Sequence, residues 1–119
     1  MPSPIPVSIH PYFQVRAGQM PAAKALLQEF IARTKTEPGV LYYQFTLGGD
    51  VIFCREAYRD ADALLAHVGN VGAQVEAMLK ISTLVRVEVH GPAAEIAKLQ
   101  APLAGLNPAW FVYECGLER

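Results

Sequence analysis

Two cysteines in 119 residues, Cys54 and Cys115, are too few to build a disulfide framework. Both fall in strand-like runs, where a free thiol packs as a small apolar side chain. The three histidines, His10, His67 and His90, sit on separate predicted elements. No Cys-x-x-Cys or His-x-x-x-His spacing occurs, so the usual metal-ligand patterns are missing. A G-x-G-x-x-G after a strand is missing too, and so is a G-x-S-x-G. Their absence excludes a dinucleotide fold and a serine nucleophile elbow. No apolar run approaches the roughly 20 residues of a membrane span. Lysine and arginine number 10 against 11 acidic residues, for a net charge of −1. They are scattered, with no basic run and no aromatic–basic alternation, so no nucleic-acid partner is expected. The opening MPSPIPVSIH has neither the basic nor the long apolar region of a signal peptide, which leads to the expectation of a cytoplasmic protein.

What the chain has in quantity is apolar side chains, 52% of the total. That is high for a small domain, and some of this surface is expected to meet another chain. The length predicts one domain, residues 1–119. Pro2, Pro4 and Pro6 predict an extended lead-in. VSIHPYFQVR alternates, with Val7, Ile9, Phe13 and Val15 on one face and Ser8, His10, Tyr12 and Gln14 on the other, which marks a strand. Pro11 predicts a bulge within it. Met20 to Thr34 reads as a helix with a stripe of Ala23, Leu26, Leu27, Phe30 and Ile31. Glu37-Pro38-Gly39 reads as a turn, and VLYYQFTL and VIFCREAY as strands joined at Gly48-Gly49-Asp50. Asp60 is placed to cap a second helix running to about Leu79. Gly69 and Gly72 weaken that helix and predict a kink or tight contact near Asn70. ISTLVRVEVH is the fourth strand, with Ile81, Val85, Val87 and Val89 on one face and Leu84, Arg86, Glu88 and His90 on the other. A short helix over 93–103 and the strand AWFVYECG follow.

The order β-α-β-β-α-β predicts an α+β, ferredoxin-like core over about 7–90, with a C-terminal helix and extra strand over 91–119. Two helices cover one face of such a sheet. The second and third strands carry apolar residues at alternate and intervening positions alike, the pattern of strands buried on both faces. A symmetric homodimer through the sheet face is therefore expected, its C-terminal strand free to exchange and protect an edge.

EPGVLYYQF, a strand ending in REAY, and DADALLAH together resemble the antibiotic biosynthesis monooxygenase family over roughly residues 7–90. The resemblance rests on the Pro-Gly turn, on Glu56 and Tyr58, and on Ala66-His67. It implies a dimeric α+β barrel and, for some members, oxidation of a phenolic or quinol substrate by molecular oxygen with no metal or flavin. Other members degrade haem. The chain departs from the family in having Tyr58 where tryptophan is usual and in its longer tail.

The candidate catalytic residues are His67, Tyr43 and Glu56, and the candidate substrate-binding residues are Tyr58, Phe53, Asn70 and Arg86. Histidine suits proton transfer because its charge changes near neutral pH. His67 reads either as a base facing a ligand or as a rim residue with one hydrogen bond. Glu56 and Arg55 face opposite ways on a strand, and a charge there needs a partner. Glu56, Arg86 and Glu88 therefore read either as an ion-pair network within a dimer or as a polar patch orienting a substrate. Tyr42 and Tyr43 are opposed, and Tyr43 is the one expected beside a ligand.

Two functions follow. The first is a cofactor-independent monooxygenase-like protein acting on a small aromatic or quinol in a pocket between helices and sheet. There His67 is the base, Tyr43 or Tyr58 an orienting donor, and Glu56 the group fixing the histidine tautomer. The second is a non-catalytic homodimer that binds a small apolar ligand or serves assembly. A haem-degrading member, with His67 as the ligand, is a lesser alternative.

Overall fold

The computed structural model describes residues 5–118, so the lead-in expected at Pro2 and Pro4 lies outside the described residues. The chain runs β1 (Val7–Val15), α1 (Met20–Thr34), β2 (Val40–Gly48), β3 (Val51–Tyr58), α2 (Ala61–Asn70), α3 (Gly72–Ile81), β4 (Ser82–Gly91), α4 (Ala93–Gln100), a single 3₁₀ turn (Ala104–Leu106) and β5 (Ala109–Val112). The strands form one sheet in the order β2-β3-β1-β4-β5. The first four pair antiparallel, and β5 lies parallel to β4. This is the α+β, ferredoxin-like arrangement that the alternation of elements predicts.

Local chemistry sets the corners. Gly18 and Gly49 hold positive φ, at 79° and 63°, where the chain leaves β1 and where it turns between β2 and β3. Asp60 caps α2, its Oδ1 accepting from the Ala63 amide at 2.8 Å. The helix expected from Asp60 to Leu79 is two helices, broken at Val71 between the two glycines. In α1, Ala23, Leu27 and Phe30 are buried, whereas Ile31 is exposed and corrects the expected stripe. Successive helix residues are separated by about 100° of rotation, so Ile31 lies outside the contact that Phe30 makes.

The irregularity expected at Pro11 appears one residue later. The register of β1 against β4 slips between Tyr12 and Phe13, and Val85 is the extra residue. The slip reverses the faces predicted for the start of β4. Leu84, expected to point outward, packs into the core, and Val85, expected inward, is exposed. Ile81 belongs to α3 and not to the strand.

The C-terminal segment is part of the core. Ile96, Leu99 and Leu103 are buried against Val7, Tyr58, Leu64 and Val89. β5 pairs with β4 of its own chain, with His90 opposite Phe111. Only Ala109–Val112 of AWFVYECG is strand, and Cys115 is exposed beyond it, so it does not fill a core.

The sheet face away from the helices is mixed in character. It carries Tyr12, Phe53 and Tyr42, but also His10, Gln14, Arg55, Arg86 and Glu88, and no element among the described residues covers it. His10 stacks on Phe53 at 5.9 Å between centroids, and Tyr12 meets the same ring at 4.6 Å. The face is aromatic and polar rather than aliphatic. The apolar neighbours Ile52 and Cys54 point to the core, and Leu41 is the extra residue of a bulge against β3.

Candidate functional site

Between the helices and the sheet lies a cavity of about 170 Å³. Its walls are apolar, built by Ile9 and Phe13 of β1, Phe30 of α1, Val71 and Met78 beside and within α3, and Leu84 of β4. One end is polar. There Tyr43 and Cys54 meet Glu56 and His67. Strand alternation explains the grouping, because Cys54 and Glu56 share the core face of β3 and Tyr43 lies opposite Glu56 in the register of β2.

His67 sits between two carboxyl groups. Its Nδ1 is 2.9 Å from Glu37 Oε2 and 3.1 Å from Oε1. Its Nε2 lies 3.3 Å from Glu56 Oε1. The side chains of His67 and Glu37 are only 5% and 9% exposed. A carboxylate only accepts, so Nδ1 carries the proton and donates it to Glu37, leaving the lone pair on Nε2. Glu37 is held in turn by Asn70, whose Nδ2 donates to Glu37 Oε2 at 2.7 Å and to the Arg33 carbonyl at 2.8 Å. Arg33 Nε returns a bond to the Asn70 carbonyl at 3.1 Å. The ends of α1 and α2 are thereby tied across the turn that carries Glu37. The Tyr43 and Tyr58 rings flank the imidazole, each 5.0 Å away between centroids.

Glu56 is buried, and Tyr58 donates its hydroxyl to Glu56 Oε1 at 2.6 Å. Burial pushes the Glu56 carboxyl up to about 7, against the hydrogen bonds from Tyr58 and Cys54, and the charge of Glu37 adds to the push. Burial also raises the Tyr43 phenol and the Cys54 thiol, so both stay protonated. Cys54 is therefore no thiolate nucleophile. Burial lowers the His67 imidazole, while its bond to Glu37 pulls the other way. Just below pH 7 the site holds a neutral histidine base beside a carboxylic acid. Such a pair, its two members pushed towards opposite protonation states by their surroundings, is the arrangement used for acid–base work.

The structure brings together His67, Tyr43 and Glu56 at one cavity. Tyr58 is fully buried behind Glu56, and Asn70 stands behind Glu37, so both support the site from outside the cavity lining. Phe53 and Arg86 lie on the opposite face of the sheet, in one cross-strand row with Tyr12. Arg86 is paired there with Glu88 at 2.6 Å. Alternation along β3 turns Phe53 away from Cys54 and Glu56, which is why neither Phe53 nor Arg86 reaches the cavity. The tautomer-fixing role expected of Glu56 falls geometrically to Glu37, a residue read from sequence only as part of a turn. Haem does not fit. One nitrogen of His67 is held by Glu37 and the other faces Glu56, and a cavity of about 170 Å³ is little larger than the ~150 Å³ that takes one benzene.

Two outcomes follow from this geometry. A Cβ on Gly39 would stand 2.5 Å from Ala63 Cβ of α2. Gly39→Ala should therefore cost about 1–3 kcal/mol of stability by chemical denaturation and push the Glu37 turn away from His67. Glu56 bears on pH. Unfolded, it releases its proton near 4.5, and folded, near 7, so rising pH between those values favours the unfolded chain. Glu56→Gln should flatten the stability profile across that window relative to the unsubstituted protein; parallel profiles would show that Glu56 ionises normally.

Comparison with known proteins agrees with the fold. The family model for antibiotic biosynthesis monooxygenases matches residues 6–79. The chain is similar to MupZ from Pseudomonas fluorescens, with 38% identity and a TM-score of 0.93, over 96% of this chain and 94% of that one. It is similar to Rv0793 from Mycobacterium tuberculosis, with 27% identity and a TM-score of 0.63, over 71% and 91%. SO0527 from Shewanella oneidensis shares the fold at 19% identity and a TM-score of 0.65, over 71% and 88%. No curated protein matches. No helix among the described residues is long and apolar enough to cross a membrane.

Proposed function

We propose, for a chain that belongs to the antibiotic biosynthesis monooxygenase family, that the Glu37–His67–Glu56 array transfers protons on a small apolar molecule bound in the cavity. The observation that carries this reading is one buried imidazole held between two carboxyl groups at the polar end of an apolar cavity. His67 Nε2 takes a proton from the substrate, Glu37 stabilises the imidazolium that forms, and Glu56 gives its proton to a substrate oxygen. In the oxygenating form of the reaction, the electron-rich phenolate or carbanion passes electrons to dioxygen. A phenol carbon bearing hydrogen becomes a carbonyl, one oxygen atom enters the product and the other leaves as water. The apolar walls keep bulk water from quenching the anion.

A second reading, redox-neutral acid–base chemistry on the same substrate, is favoured by Glu56, which holds a proton to about pH 7 beside a neutral base. Oxygen uptake with a panel of dihydroxy-aromatics tests the first reading. Solvent deuterium incorporation into the same panel without uptake would select the second. Neither signal with any compound would leave the non-catalytic binder as the surviving reading.

The aromatic and polar outer face is the surface through which a second copy would dock. Light scattering should then give twice the 13.0 kDa chain mass. Phe53→Glu, which puts a charge into the His10–Tyr12 cluster, should return the single mass, and a single mass before substitution would refute the pairing.

A further inference from the structure

The proposed function leaves the ligand's class open, and the cavity narrows it. The space beside the polar end is narrow, at about 170 Å³ close to the ~150 Å³ of a dry apolar cavity that takes benzene. Its charge is equally restrictive. Among the described residues, no lysine or arginine lines it. The nearest fixed charge is that of Glu37 behind His67, so an anion entering the cavity would meet a like charge and no cation. Buried charges without partners are strongly disfavoured. A cation gains little, because Glu37 is already bonded by His67 and Asn70. The polar end offers one acceptor, His67 Nε2, and two donors. Tyr43 keeps its phenolic proton, and Tyr58 fills one acceptor position of the buried Glu56, whose own proton is the second donor.

We propose that the cavity selects an uncharged molecule of about one six-membered ring with short substituents, oriented by an oxygen that accepts a hydrogen bond from Glu56. The proposal rests on the reading above that this cavity is the substrate site. The groups facing Glu56 are Tyr58 and Cys54 of its own strand, Tyr43 of β2, His67 of α2 and Glu37 of the turn. With these around it, the donor is present at pH 6 and withdrawn as the carboxyl ionises, so affinity for an acceptor falls as pH rises.

Titration calorimetry on the full chain tests this with four probes: cyclohexanone, cyclohexanecarboxylate, cyclohexylammonium and the two-ring ketone 2-decalone. At pH 6, cyclohexanone should bind at least tenfold more tightly than each of the other three. Its affinity should drop severalfold at pH 8.5. Glu56→Gln, whose amide still donates but does not titrate, should bind cyclohexanone with nearly equal affinity at both pH values. Circular dichroism first establishes that the variant is folded. Failure of cyclohexanone to bind, an equal affinity for either charged probe or for the two-ring ketone, or an unchanged pH dependence in the variant would each overturn the proposal. Selective binding of cyclohexanone without turnover of any panel compound would sink the catalytic reading and leave this one standing. Turnover of an anionic or polycyclic compound would do the reverse.

Discussion

Turnover should fall by roughly 10²–10⁴-fold in His67→Ala, the usual worth of a positioned acid–base group. The loss should appear in kcat, because the imidazole contributes little apolar surface to binding compared with Phe13, Phe30 and Leu84. Glu37→Gln is the sharper variant. It keeps the size and nearly the shape of the side chain, but the amide can turn its donor towards Nδ1 and favour the tautomer whose lone pair faces away from the cavity. Replacing the carboxylate behind a catalytic histidine by an amide has cost about 10⁴-fold in a serine protease triad, and a drop of at least 10²-fold is expected here. Binding of cyclohexanone should survive in Glu37→Gln, since Glu37 does not line the cavity. Steady-state kinetics on the compound found in the uptake panel decides the matter. Unchanged kcat in His67→Ala would move the base elsewhere, and unchanged kcat in Glu37→Gln with a dead His67→Ala would reduce Glu37 to a structural partner.

The second large effect concerns stability. Leu99 is fully buried in α4, beyond the matched family region, yet it packs in the cluster that holds Tyr58 and Leu64. Leu99→Ala should cost about 2–5 kcal/mol through lost burial and the cavity left behind. The melting temperature should drop by roughly 6–25 °C. An appendage docked on a complete domain would lose only about 0.5 kcal/mol from a substitution of this kind. The consequence for the site is direct, because Leu64 and His67 lie one turn apart on α2 and Tyr58 braces Glu56. Loosening α4 loosens the wall behind the acid. A thermal shift within two degrees for Leu99→Ala would show that the helix is dispensable.

Much of the scaffold was legible in the sequence because short-range chemistry fixes it. The Asp60 cap, the glycine-flanked break near Asn70 and the alternation in β1 are local signals, and each has its counterpart in the fold. Bulges are less legible. Pro11 signals an irregularity, but which strand receives the extra residue depends on pairing, and so Val85 and Leu84 exchanged faces. The outer sheet face mixes aromatic and polar side chains, and Leu41 counts as an alternating apolar residue only until pairing with β3 reveals a bulge. At the site, Glu56 and His67 carried visible signals: a carboxylate in an apolar strand and a histidine beside an apolar stripe. Glu37 carried none. A glutamate ahead of Pro-Gly is ordinarily a solvated turn residue, and only the approach of Gly39 to Ala63, together with the tie between Asn70 and Arg33, brings it inside. Phe53 and Arg86 failed as cavity residues through simple parity along their strands.

A buried carboxyl group that keeps its proton up to about pH 7 is something folding alone would discard. Replacing Glu56 with leucine or methionine would let Tyr43, Cys54 and the surrounding apolar walls close over a featureless interior. Populations selected only for resistance to heat should drift towards that replacement and lose chemistry as they gain robustness. Any lineage that retains the acid at this position reveals selection for reactivity rather than for endurance.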